Sequence, residues 1–122
     1  WRNEVNGIVT NRPDVIVAEL GDGILGEYGV QDILLDRGLM GLAAAHVMAA
    51  PDPVACWGAQ QLFQNHFKLP ITCITGPATD NQVGRDYITR QLGIPSHNAL
   101  RDAPGLVDTV RAAMSVSAAG AA

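Results

Sequence analysis

Residues Pro13 to Gly29 read PDVIVAELGDGILGEYG, and the order of residue types along this stretch decides the fold. Pro13 and Asp14 punctuate the chain. Val15, Ile16, Val17 and Ala18 then form an apolar, mostly β-branched run without polar alternation. That is the pattern of a strand covered on both faces, and such strands belong to parallel sheets. The run closes on Glu19 and enters a loop holding Gly21, Gly23, Gly26 and Gly29.

Ligands of open parallel sheets bind outside the carboxyl ends of strands, so this loop is the first candidate site. Glu19, Asp22 and Glu27 place three carboxylates within nine residues. Gly21 and Gly23 flank Asp22, and glycine lets a backbone approach a ligand closely. Glu19 or Asp22 is the expected holder of a magnesium ion, directly or through water, because hard cations choose carboxylate oxygens and keep several waters. The competing reading makes Asp22 with Gly23, and Glu27 to Gly29, plain turns with solvated acids. Ile24, Leu25 and Tyr28 need something to pack on, for which a partner subunit is one answer. Gly21, Gly23 and Gly26 also match G-x-G-x-x-G, but no helix clearly begins at Ile24 and Asp36 comes early for a ribose contact, which weakens a dinucleotide site.

Working outward, Val5, Ile8 and Val9 have the spacing of a short helix end before the first strand. Val30 to Asp36 and Leu39 to Ala45 read as two short helices or one kinked helix, with Gly38 as the break or cap. His46 to Ala50 is a second strand, stopped at Pro51 and Pro53. Val54 to Phe67 resumes helical spacing through Trp57, Leu62, Phe63 and Phe67. Ile71 to Thr75 is a third strand. Gln82 to Leu92 is a helix, with Asp80 or Asn81 as N-cap and Gly93 as C-cap. Ile94 to Leu100 is a short strand or extended loop, and Gly105 to Met114 is the closing helix.

Helices separate every strand, which predicts a three-layer, Rossmann-like α/β domain with a small parallel sheet of three or four strands. One such domain spans residues 1–114, and residues 115–122, SVSAAGAA, form a flexible tail.

Two further loops leave strand ends. Thr75, Gly76, Thr79, Asp80 and Asn81 precede a helix whose first N–H groups can face an anion, with Arg85 one turn on. The plainer reading is a capped helix start, with Pro77 stiffening the turn, since Asp80 opposes a bound phosphate. His97 and Asn98 follow the last apolar segment. His97 reads either as a general base or ligand contact, or as a turn residue. His46 and His66 look structural.

Composition narrows the function classes. Only 16% of the residues are charged against 48% apolar, so much of the chain must be covered, by a partner subunit or by the rest of a larger protein. The net charge of −4, with Lys68 the single lysine, leaves no basic face for nucleic acid. No apolar run approaches a membrane span and the first residues lack a signal-peptide pattern, which predicts a cytoplasmic protein. Cys56 and Cys73 lack metal or redox spacing and read as buried free thiols. No G-x-S-x-G elbow occurs for a serine nucleophile.

The run Asp14 to Glu19 followed by glycines, with the later pairs ITGPATDN and GIPSHNAL, resembles the second half of P-loop NTPases of the class that includes the MinD/ParA and cobyrinic acid synthase (CobQ/CobB) proteins. The resemblance implies later loops that frame a nucleotide base, and a Glu19 or Asp22 that helps position magnesium. No G-x-x-x-x-G-K-[ST] occurs, so the phosphate-gripping lysine is missing. The expectation is a ligand-binding domain for a nucleotide or phosphorylated metabolite, a fragment or relative of such an enzyme. The alternative is an oligomerisation module without catalytic activity, assembled through Ile24 to Tyr28.

Overall fold

A computed structural model describes residues 12–121, with side chains through residue 118. The helix expected from Val5, Ile8 and Val9 lies outside the described residues. The chain divides into two compact units, Trp1–Asp32 and Ile33–Ala122.

In the first unit the expected strand at Val15 to Ala18 is absent. No regular element occupies residues 12–20, and Val17 is 90% exposed. The reason is that a strand exists only as a hydrogen-bonded ladder, and nothing among the described residues pairs with this run. The loop that follows holds a turn, with the Gly26 N–H donating to the Gly23 carbonyl at 2.9 Å. Helix α1, Val30–Leu35, begins after Gly29, whose φ of +85° suits a residue without a side chain.

The second unit is mixed α/β, with helix predominating over strand. Asp36 caps α2, Arg37–Met40, through its Oδ1, which accepts from the Leu39 N–H at 3.0 Å. That capping bond corrects the reading of Gly38 as a break, because Gly38 lies inside the helix. Helix α2 also stops at Met40 instead of running to Ala45. β1, Val47–Ala49, ends before Pro51, and Asp52 starts α3, Pro53–Leu62, with Oδ1 accepting from the Ala55 N–H at 2.8 Å and Pro53 in the first turn. A π turn, Phe63–Phe67, continues α3. β2, Cys73–Thr75, leads through a 3-10 turn, Pro77–Thr79, into α4, Gln82–Asp86, which continues as a π turn, Tyr87–Leu92.

Both crossover helices end alike. Each π turn is followed by a residue in the left-handed region, Lys68 at φ +57° and Gly93 at φ +68°. The next N–H, of Leu69 or Ile94, reaches back to the carbonyl of Phe63 or Ile88. Gly93 does this freely, whereas Lys68 pays roughly 1 kcal/mol for the same geometry.

β1 and β2 pair in parallel, Val47 opposite Cys73 through Ala49 opposite Thr75. Residues 94–96 contribute a single parallel bridge, Ser96 to Ile74, on the other side of β2. The sheet is therefore two strands plus one bridge, short of the three or four strands expected. Its core is Ala50, Cys56, Ile74, Ala78, Ile88 and Ile94. The fully buried Ile74 and Ile88 there each contribute on the order of 2 kcal/mol. Both cysteines are buried free thiols, as their spacing suggested. The last helix, α5, is Ala103–Ala121, so helix continues past Met114 through the segment read as a tail.

Candidate functional site

Three parallel segments of the second unit end at one edge. β1 runs into Pro51 to Pro53, β2 into residues 76–81, and residues 94–96 into His97 and Asn98. The middle loop is pressed close by glycine. Gly76 has φ +90°, and a Cβ there would lie 2.9 Å from both the N and O of Ala50. Ala50 accounts for this closeness, since its N–H donates to the Thr75 carbonyl and its own carbonyl accepts from the Ala78 N–H, each at 3.0 Å. Gly84 lets α4 approach the same loop, because a Cβ would run into the Ala78 carbonyl oxygen.

Asn98 ties the second and third loops together. Its side chain is buried, and its Nδ2 donates to Thr79 Oγ1 at 3.1 Å and to Asp80 Oδ1 at 2.8 Å. Its Oδ1 accepts from the Leu100 and Arg101 N–H groups, both at 3.1 Å. Both amide donors and both acceptor positions are thus used. Thr79 Oγ1 in turn donates to the Gly76 carbonyl, and Thr75 Oγ1 accepts from the Ala99 N–H. Asn81 serves as the N-cap of α4, its Oδ1 accepting from the Gly84 N–H at 2.9 Å. Thr75, Gly76, Thr79, Asp80, Asn81 and Asn98, singled out in the sequence as members of separate loops, therefore form one connected patch.

Sequence reasoning missed Arg101. Its Nη1 donates to the Asp80 carbonyl at 2.6 Å, while Arg85 Nη1 donates to the Thr79 carbonyl at 2.7 Å. Both guanidinium groups thus hold backbone carbonyls of this loop, while the Asp80 carboxylate is bonded by Asn98. Nothing in the spacing of Arg101 marked it, since it reaches Asp80 from 21 residues away. Asp52 was likewise passed over. It lines an open groove of about 320 Å³ at this edge, with Pro51, Pro53, Pro77, Asn81 and Val83. The cavity at the opposite edge, beside Gln60 and Leu92, holds about 180 Å³, less than the roughly 300 Å³ at which small-molecule sites begin.

His97 is adjacent to this patch but occupied elsewhere. Its backbone N–H donates to the Ile74 carbonyl at 3.1 Å. Its ring spans α5, with Nδ1 2.8 Å from Asp102 Oδ2 and Nε2 3.0 Å from Thr109 Oγ1. Asp102 also receives the Gly105 N–H, and the His97 hydrogen bond, with that second one, holds its carboxyl below the usual aspartate range. Both ring nitrogens are engaged in docking a helix. Burial pushes the His46 imidazole down and the Cys56 and Cys73 thiols up, which keeps all three uncharged near neutrality.

The acidic loop of the first unit has little internal support. Glu19, Gly21, Gly23 and Glu27 are exposed, and among the described residues Asp22 Oδ2 accepts only a long 3.4 Å bond from the Tyr28 N–H. Among the described residues no three His, Cys, Asp or Glu side chains come together as a metal site. No helix among the described residues is long and apolar enough to cross a membrane. No protein-family model, curated protein or solved structure matches this chain, and its site is defined by its own geometry alone.

Proposed function

We propose that the chain is a ligand-binding α/β domain for a nucleotide or phosphorylated metabolite, related to P-loop nucleotide-binding enzymes of the MinD/ParA and CobQ/CobB class. The observation that carries this reading is the Asn98 side chain, which bonds Thr79 and Asp80 and so joins the two loops that the family resemblance assigns to ligand framing. Arg85 and Arg101 supply positive charge beside them. A magnesium ion on Glu19 or Asp22 is a separate expectation of this reading for the first unit. The reading includes a larger, Rossmann-like three-layer sheet in which residues 94–96 extend a third strand. Two buried free thiols fit a reducing, cytoplasmic setting. Calorimetry and thermal-shift measurements on the intact protein with nucleoside mono-, di- and triphosphates, with and without magnesium, test it. Binding that weakens in Arg101→Gln supports the reading, and no binding of any nucleotide or sugar phosphate rejects it.

A second reading has its own observation. Leu25 is 67% exposed and Tyr28 86%, and large apolar side chains left open in one loop mark association surfaces. On this reading the chain is an oligomerisation module. Light scattering decides, since a protein that stays monomeric at high concentration rules it out.

A further inference from the structure

We infer that His97 is a pH-sensitive latch that holds the amino-terminal half of α5 against the sheet more tightly when its ring is protonated. The geometry has three parts. The His97 backbone is fastened to β2 through the Ile74 carbonyl. The ring bridges Asp102, the residue just before α5, and the second turn of the helix, touching Asp102 Oδ2 at 2.8 Å and Thr109 Oγ1 at 3.0 Å. Gly105 makes room for it, because a Cβ there would meet His97 Nδ1 at 2.6 Å.

Little else among the described residues holds this helix. No α5 residue through 118 is buried, and its inward stripe of Leu106, Val110, Ala113 and Met114 is only partly covered. A side-chain bridge therefore has unusual weight in its docking. The His97 side chain is 25% exposed, so protons reach it.

An imidazole changes charge between about pH 5 and 8. Neutral, the ring donates from Nδ1 to Asp102 and accepts the Thr109 hydroxyl proton at Nε2. Protonated, it donates from both nitrogens, and the Asp102 contact, already assisted by the ionised carboxylate, becomes an ion pair between two full charges in direct contact. The amino-terminal dipole of α5 opposes a cation, but it acts through partial charges, whereas the Asp102 carboxylate carries a full charge in direct contact. On α5 itself Asp108 and Arg111 make no ion pair with the ring. On β2 the nearest titratable group is the Cys73 thiol, which burial keeps neutral. Arg101 is directed to the Asp80 carbonyl.

Amide hydrogen exchange of the whole chain, corrected for intrinsic rates from pH 5 to 8, tests the latch at Leu106 through Ala113. Protection is expected to fall about three- to five-fold as pH rises, with the same midpoint as the His97 ring in a nitrogen-shift titration of the native protein. His97→Gln keeps a hydrogen-bonding side chain but does not titrate, and should make the profile flat. A flat native profile, a midpoint different from that of the ring, or an unchanged pH dependence in His97→Gln overturns the inference. Coincident midpoints in the native protein decide the matter even if the variant is unstable.

Discussion

The loop at residues 19–29 and the loop at residues 76–81 both bring glycine and carboxylate together after an apolar run, and the structure treats them differently. Asp80 is bonded by Asn98 through its carboxylate and by Arg101 through its carbonyl, from a segment some twenty residues later. Asp22 receives one long bond from six residues away, and Glu19 is exposed. Gly76 is obligatory because Ala50 crowds it, whereas nothing lies within 4 Å of a Cβ on Gly21 or Gly23. Local composition marks where a backbone can turn tightly. Partners distant in sequence decide whether the turn becomes a rigid patch.

The widest expected gap between the two loops is at glycine. Gly76→Ala combines a left-handed φ with a backbone collision, and should lower stability by about 3 kcal/mol in urea unfolding, whereas Gly23→Ala should change it by less than about 0.5 kcal/mol. Equal effects would break the comparison. Next in size, Asn98→Ala removes a buried amide with four hydrogen bonds and should cost about 2 kcal/mol, with faster amide exchange at Leu100 and Arg101. Asp22→Ala, which deletes the most connected acid of the other loop, should leave stability nearly unchanged.

The smallest effect concerns acid. Because hydrogen bonds hold the Asp102 carboxyl below its ordinary value of 3.8, its contribution is complete above that pH and is lost as pH falls through the lower folded value. Native protein and Asp102→Asn should therefore differ in urea midpoint at pH 6, and the difference should shrink progressively as pH falls below 3.8. A difference that persists unchanged into acid would show that the carboxylate has no part in holding α5.

Where structure was legible in sequence, the signal was local. Pro51 and Pro53 announced the end of β1, Asn81 and Gly93 the ends of the helix between them, and β-branched or small apolar residues the strand at Cys73–Thr75. Where it was not, the missing information was a partner. Val15 to Ala18 has the composition of a strand as clearly as β2 has, yet a ladder needs a neighbour that no local pattern supplies. The same holds for the site. Thr79, Asp80 and Asn98 were recognisable as polar residues after strands, but Arg101 and Asp52 join them only through folding.

The sequence by itself determined the alternation of helix and strand from β1 onward, the caps at Asn81 and Gly93 and the buried thiols, since propensity, capping and hydrophobic spacing act over a few residues. Tertiary structure alone decided which strands pair, which loop becomes a connected patch and what His97 holds. Those outcomes depend on hydrogen bonds between groups far apart along the chain, whose closeness is a property of the folded packing and not of any segment.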